Sequence, residues 1–420
     1  MIIIDAIRTP FCKMGTELAP LTAADLGRHA VVSLMARTGI DPAQICEVIF
    51  GCVAQPPDAA NIARVIALRS GIPEHVPAST VHRNCASGLE ALTTAAERLA
   101  AGRGDLFVVG GVESMSRIPF LYLPTTAAKY TALTRTKSLG RKLRVVSTMR
   151  PGDFSPLVGL KLGLTDPVSG LNMGETAEIL AREFQISRED QDEFAAESHR
   201  KALAARDLLD RELVAVPVKG HAIAHDNGLR RDSTPERLAR LRPVFDRRWG
   251  TVTAGNSSQI TDGAVALLVA SEERAEKLGI TPLGKLRAYS YTGCDPKRMG
   301  LGPVLATAHL LSQIDRRPSD ADVIEINEAF AAQVLAVLKA FRDPSAAQRA
   351  GLDKPLGDIP RERLNPRGGS IALGHPVGAT GARLVQTALA QLKESGGRSA
   401  LTTLCVGGGQ GAALWLESLN

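Results

Sequence analysis

A pattern that occurs twice does most to limit how this chain can fold. Cys85 stands before a helix-like run, Leu89 to Ala101, which leads into the apolar stretch Leu106-Phe107-Val108-Val109-Gly110-Gly111. Near the C-terminus His375 stands before a second helix-like run, Ala382 to Glu394, followed by Ala400-Leu401-Thr402-Thr403-Leu404 and the glycines from Gly407. A reactive residue, a helix and a strand ending in glycines, met twice in one order, reads as a diverged internal duplication, matched in pattern rather than identity. With the strand candidate Glu47-Val48-Ile49-Phe50-Gly51 ahead of the first copy, the alternation argues for an α/β architecture with mostly parallel sheets.

A chain of 420 residues leaves room for two or three domain-sized units. Residues 117 to about 245 differ from the rest: the first part is basic and rich in Leu, Thr and Pro, and Ser187 to Leu209 reads as a charged amphipathic helix with Ser187 as its cap. Strand-like composition returns at Val252 to Ser258 and at Ala264 to Ser271. The expected organisation is a first half over 1–116 and 246–284, a loop domain inserted at 117–245 with a basic segment at 117–150, and a second half over 285–420.

Hydrophobic residues at 44% and charged residues at 22% are ordinary for a soluble enzyme, and the apolar runs are too short to span a bilayer. The opening Met1-Ile2-Ile3-Ile4-Asp5 lacks the order of a signal peptide, so a cytoplasmic location is expected. Six cysteines in so long a chain are too few for a disulfide framework, which leaves thiols available for chemistry. The net charge of +6 is concentrated: between Ser114 and Gly152 there are eight Lys or Arg and no Asp or Glu. Such a stretch is either a solvated face or an attractor of anionic ligands or an acidic membrane surface. No nucleic-acid-binding motif accompanies it, and no nucleic-acid partner is expected.

Four motifs bear on chemistry: Asn84-Cys85-Ala86-Ser87-Gly88, Asn327-Glu328-Ala329-Phe330, Gly374-His375-Pro376 and Cys405-Val406-Gly407-Gly408-Gly409. A thiolate is a good nucleophile toward a thioester or ketone, an imidazole can take its proton, and a second thiol can move a proton on and off carbon. Small neighbours let a substrate approach the backbone. A lone cysteine is usually a small buried hydrophobe and a lone histidine usually structural; only the motifs together point to thiol-based acyl transfer.

These motifs, with Arg8-Thr9-Pro10, Gly110 to Ser116 and Thr253-Ala254-Gly255-Asn256, resemble the thiolase family in order and separation over nearly the whole chain. Leu162 to Pro167 and Leu171-Asn172-Met173-Gly174 look most like the β subunit of the trifunctional fatty-acid β-oxidation complex. The resemblance implies a five-layer αβαβα fold of two similar halves plus an inserted loop domain, usually a homodimer. It implies a 3-ketoacyl-CoA thiolase (acetyl-CoA C-acyltransferase) that cleaves 3-ketoacyl-CoA by a ping-pong, acyl-cysteine route. Acetoacetyl-CoA thiolase activity in the condensation direction is the alternative.

Carried onto this chain, Cys85 is the nucleophile, its thiol expected to be lowered by the dipole of the helix it precedes. His375 is the base, Cys405 the second acid/base, and Gly407 supplies an oxyanion-hole N–H beside that of Cys85. Asn327 holds a water for the second oxyanion hole, although a helix cap would also suit it. Arg230, in Asp226-Asn227-Gly228-Leu229-Arg230, packs against the adenine of coenzyme A, and Ser258 contacts its pantetheine arm. Coenzyme A and acyl-CoA are substrates; no permanently bound cofactor and no metal is expected. Asn172 stands where short-chain enzymes typically carry histidine, which favours medium or long acyl chains. The subfamily likeness also implies a partner with hydratase and 3-hydroxyacyl-CoA dehydrogenase activities.

Three other readings fare worse. Gly407 to Ala412 matches a dinucleotide fingerprint, but the chain leaves no room for the strand and acidic residue that should follow. A ketoacyl synthase generates its carbanion by decarboxylation and needs no second thiol, so Cys405 argues against it. A scaffold subunit using the basic segment is at odds with a full catalytic set, though membrane contact as an added property is compatible with it.

Overall fold

The computed structural model describes residues 1–419. The first half runs β1 (Ile2–Arg8), α1 (Ala23–Thr38), β2 (Glu47–Gly51), α2 (Ile62–Arg69), β3 (Ala78–Val81), α3 (Ser87–Ala100) and β4 (Leu106–Glu113). A long excursion then carries α4 (Pro124–Arg135), α5 (Leu139–Ser147), α6 (Met173–Glu183) and α7 (Arg188–Ala204), and β5 (Thr261–Ala270) returns to pair with both β1 and β4. The second half repeats the order with β6 (Gly284–Gly293), α8 (Gly302–Ile314), β7 (Val323–Ile326), α9 (Ala331–Arg342), α10 (Val377–Ser395), β8 (Ser399–Val406) and β9 (Gln410–Glu417).

The strands are hydrogen-bonded in the order β7-β8-β9-β6-β1-β5-β4-β2-β3. Read outward from the β1–β6 joint, the two halves match, and a bridge between Ile324 and Leu364 stands where β3 lies in the first half. That joint is short: Ile2 pairs with Lys285 and Ile3 with Gly284, and the Leu283 and Leu286 N–H groups donate to the Ile3 and Met1 carbonyls. Strand alternation explains the layers, because successive side chains leave opposite faces. Ile2, Ile4, Val48, Phe50, Leu106 and Val108 pack under α1 and α2, whereas Ile3, Ile49, Phe107 and Val109 face inward. The inward face meets α3, α10 and the inner residues Leu404, Leu414 and Leu416 of the second half. Trp415, Leu401, Ile324 and Ile326 turn outward under α8 and α9. Three apolar cores thus hold five layers together, the middle one enclosing α3 and α10 between two half-sheets.

The sheet is not mostly parallel, contrary to expectation. The pairs β2–β3, β2–β4 and β7–β8 are parallel, but β1–β5, β4–β5, β6–β9, β8–β9 and β1–β6 are antiparallel. The glycine turn at 407–409 joins β8 to β9 directly, and so short a connection can join only antiparallel neighbours. The same turn leads into a strand rather than a helix, which removes the geometry a dinucleotide fingerprint requires. Val252 to Ser258 is irregular apart from a bridge from Ser257 to Phe330. Asn256 explains it: its Oδ1 accepts from the Thr253 N–H (2.8 Å), and its Nδ2 donates to Asp192 Oδ1 (3.0 Å) and the Thr251 carbonyl (3.1 Å), folding the segment on itself. Helix α7 has the expected Ser187 cap but ends at Ala204, before a separate short helix Arg206–Asp210.

Just past the basic segment, Asp153 is the anchor. It accepts from Thr126 Oγ1 (2.7 Å) and pairs with Lys129 (2.6 Å), which draws α4 onto the chain that follows α5. On α5, Leu139, Leu143 and Val146 share one face by their i, i+4, i+7 spacing and are 73%, 61% and 50% exposed.

Candidate active site

The two helices of the middle layer cross near their N-termini. A Cβ on Gly88 would lie 2.9 Å from the Gly378 carbonyl and 2.8 Å from the Ala382 N, and one on Gly381 would lie 2.9 Å from the Leu89 N. Only glycine allows backbones so close. The crossing brings together the turn before α3 and the turn before α10, which carry Cys85 and His375.

Asn84 joins this place to a third turn. Its backbone is left-handed (φ 41°), a conformation asparagine tolerates better than most residues, and its Nδ2 donates to the Gly407 carbonyl at 2.6 Å. The N–H groups of Gly407 and of Cys85 itself both face the Cys85 sulfur. Cys405, one residue before the end of β8, is buried and near enough to Cys85 for their charges to interact. Asn84 belongs to the cysteine motif, yet its bridging role has no sequence signal beyond the tolerance of asparagine for φ > 0.

His375 is oriented by its own helix. Nδ1 lies 2.7 Å from Thr380 Oγ1, whose hydroxyl donates to the Pro376 carbonyl (3.1 Å), so the threonine oxygen accepts and Nδ1 carries the proton. Nε2 is thereby left with its lone pair, buried, with no partner among the described residues. The preceding Gly374 has φ 101°, and a Cβ there would overlap the Thr261 side chain. Asn327 follows β7 and is fully buried. Its Oδ1 accepts from Ser370 Oγ (2.6 Å), in the helical turn that leads to His375, and its Nδ2 has no partner among the described residues. It is not a helix cap, because α9 begins after Phe330 with no side-chain cap. Behind this group Arg383 pairs with Glu325 at 2.9 Å, both completely buried, and donates to Ser370 Oγ (3.3 Å).

Burial dominates the protonation states. It lowers His375 to about 3, with help from the positive charge of Arg383, so the imidazole is neutral. It raises Cys405 well above the ordinary thiol value, and Cys85 adds to the rise. Cys85 is raised too: burial outweighs the N–H groups of Gly407 and Cys85, and Glu113 adds to it. The expectation that a helix dipole would lower the Cys85 thiol is therefore corrected. The dipole effect is about 0.3–1 kcal/mol when exposed, and a desolvated thiolate loses more than that. At rest, the cysteines and the histidine are all uncharged.

Ser258 lies beside this group, half-buried. Its N–H donates to the Ala329 carbonyl (2.9 Å), and the next residue, Gln259, accepts the His375 N–H at its carbonyl (2.8 Å). Arg230 sits at the surface, its guanidinium without a partner among the described residues, on a loop held from several sides. Asp226 takes both Arg8 nitrogens (2.7 and 2.8 Å) and the Phe11 N–H (2.7 Å), Asn227 accepts from the Lys13 N–H (2.8 Å), and His199 Nδ1 accepts the Arg230 N–H (3.2 Å). Asn172 is the cap of α6, accepting from the Gly174 N–H (3.0 Å) in a capping box with Glu175. Met173, next to it, reaches the 407 turn, and Phe245 and Phe330 meet edge to face with ring centres 6.0 Å apart. Together with Val252 and Ala329 they form an apolar wall around Cys405.

The thiolase N-terminal domain family matches residues 1–273 and the thiolase C-terminal domain family matches residues 280–418. A 3-ketoacyl-CoA thiolase of Pectobacterium carotovorum subsp. carotovorum (strain PC1) is 42% identical over 99% of this chain and 95% of its own length. That of Yersinia pestis (strain Pestoides F) is 41% identical over 99% and 96%. Among solved structures, the Bacillus anthracis acetyl-CoA acetyltransferase superposes with a TM-score of 0.86 at 36% identity, covering 100% of this chain and 98% of that one. Human mitochondrial 3-ketoacyl-CoA thiolase in complex with CoA gives 0.85 at 34% identity, covering 99% and 97%.

Proposed function

The chain belongs to the thiolase family, and on that premise we propose that its acyl-transfer site consists of Cys85, His375, Cys405, Asn327 and Gly407. The activity is that of a 3-ketoacyl-CoA thiolase, an acyltransferase of fatty-acid oxidation. One observation carries the assignment of roles: the Cys85 sulfur faces the Gly407 N–H, at the crossing where a neutral His375 keeps a free Nε2.

The proton of Cys85 moves to Nε2 as the sulfur attacks the 3-keto carbon of 3-ketoacyl-CoA. Because both groups are neutral at rest, the charge pair forms only when substrate is present to use it. The bond between C2 and C3 then breaks, leaving an acyl group on Cys85 and the enolate of acetyl-CoA. Cys405 gives its proton to the enolate carbon, and its thiolate next takes the proton of the incoming coenzyme A. That thiolate of coenzyme A attacks the acyl-cysteine, and the shortened acyl-CoA leaves with Cys85 restored. The N–H groups of Cys85 and Gly407 stabilise oxygen charge in the acyl-enzyme steps, while protonated Nε2 and Asn327, through a water on its free Nδ2, serve the enolate oxygen. Coenzyme A is a substrate and not a resident cofactor. Its adenine stacks on Arg230, free on its anchored loop, and its pantetheine passes Ser258.

Medium or long acyl chains are the proposed substrates, supported by asparagine at 172 and by the apolar wall of Met173, Phe245 and Phe330. Thiolysis of a 3-ketoacyl-CoA series from four to sixteen carbons tests this. Activity rising with length supports it; activity confined to acetoacetyl-CoA moves the chain to the short-chain class to which the Bacillus match also belongs by name. A cytoplasmic homodimer, with a first half over 1–116 and 246–284, a loop domain at 117–245 and a second half over 285–420, is the proposed organisation. All six cysteines are free, as a reducing compartment requires, and no helix among the described residues is long and apolar enough to cross a membrane. A partner supplying hydratase and dehydrogenase activities is proposed from the resemblance alone, and co-purification from native extract tests it. The face of Leu139, Leu143 and Val146, among Arg141, Lys142 and Arg144, favours contact with anionic membranes. Liposome co-sedimentation at low salt that is unaffected by neutralising the bases from Lys129 to Arg150 would sink that reading.

A further inference from the structure

One buried carboxylate beside the site takes no part in the steps above. Glu113, the last residue of β4, is fully buried and forms no ion pair among the described residues. Its Oε1 accepts from the Ala54 N–H (2.9 Å) and faces the Cys52 thiol (3.8 Å); its Oε2 accepts from the Val53 N–H (3.1 Å) and the Gly378 N–H (3.0 Å). Four donors from two halves of the molecule converge on one carboxylate. Gly378 is three residues past His375 and opens α10, whose N-terminus has no side-chain cap of its own. The same residue is gripped by Gly88 and Gly111, where any Cβ would crowd its carbonyl. The titratable groups that face Glu113 are thiols: Cys52 after β2, and Cys85 before α3, whose ionisation it opposes.

We propose that Glu113 is a positioning residue of the acyl-transfer site: its carboxylate locks the turn after His375 against the loop after β2. The inference rests on the assignment of Cys85 and His375 above. Four N–H and S–H donors select the ionised form, whereas burial without a cation opposes it and brings the group to about 7. The clamp is therefore present above neutrality and loosens as Glu113 takes a proton below it.

The test is alkylation of Cys85 in the full-length protein by iodoacetamide from pH 5.5 to 10, read by peptide mass spectrometry, which reports the thiol whether or not Cys85 is the nucleophile. The wild-type rate should show two inflections, one near 7 and one at the thiol's own, higher pKa. Glu113→Gln should remove the inflection near 7 and move the other down, so that the reaction is faster than wild type at a fixed pH between them. Glu113→Asp keeps the charge but withdraws it, so both inflections stay while kcat falls about tenfold with little change in KM. A single wild-type inflection, or a folded Glu113→Gln protein whose profile superposes on wild type, overturns the proposal. The wild-type profile decides alone if the glutamine variant does not fold. Loss of activity in Cys85→Ala is read separately, so a failure of the nucleophile assignment is distinguishable from a failure of the clamp.

Discussion

The turn before α3 and the turn before α10 occupy corresponding places in the two halves, and they have diverged in opposite directions. The first carries a thiol whose sulfur is faced by backbone N–H groups, one from its own residue and one from Gly407. The second carries an imidazole whose Nδ1 is engaged by Thr380 and whose other nitrogen is bare. Burial acts on both and drives both to the neutral form, raising the acid and lowering the base. A duplicated scaffold has thus supplied two equivalent positions at a helix crossing, and the acid/base pair comes from what each half placed there.

The comparison breaks most severely at the thiol. Cys85→Ala should reduce thiolysis by about 10⁴-fold or more, measured with a 3-ketoacyl-CoA by loss of the magnesium-enolate absorbance, because no other group forms the acyl intermediate. Removing the base from the other turn comes next. His375→Ala should lower kcat by about 10³-fold and slow alkylation of Cys85 at pH 7, since the raised thiol loses its proton acceptor. Thr380→Val sharpens the contrast without touching substrate: with Nδ1 released, both tautomers become available, and kcat should fall about 10- to 100-fold with KM little changed.

The histidine also leaves a mark on stability. Its folded pKa, about 3, lies below the unfolded value near 6.5, so between these values the unfolded chain binds the extra proton. This group's contribution is undiminished above pH 6.5 and is lost as pH falls toward 3. Chemical denaturation should therefore show a steeper acid-side loss in wild type than in a folded His375→Asn variant; parallel curves would contradict the neutral buried state. The smallest effect is expected away from the pair. Asn172→Ala removes the cap of α6 and should cost about 1 kcal/mol in urea denaturation.

Much of this was legible beforehand, for reasons that differ by residue. The helices after Cys85 and His375, and the strands Glu47–Gly51 and Leu106–Glu113, announce themselves by periodicity and by runs of apolar residues. Val252 to Ser258 misled because its composition suits a strand while Asn256 folds it back through hydrogen bonds that no local pattern encodes. Sheet direction misled for a related reason: β5 returns only after an excursion of well over a hundred residues, and its antiparallel pairing depends on which neighbour it meets. Glu113 lies in the motif Gly110 to Ser116, but neither it nor Thr380 announced a role at the site, since a glutamate in an apolar strand and a threonine in a helix carry no signal of what they touch.

By itself the sequence determined the duplication, the motifs and hence the family, because residue types and their order are what those depend on. The tertiary structure decided the crossing of α3 and α10, the direction of the sheet and the charge state of every group at the site. Those depend on which backbones approach and how much water is excluded, and water exclusion is a property of the packed whole.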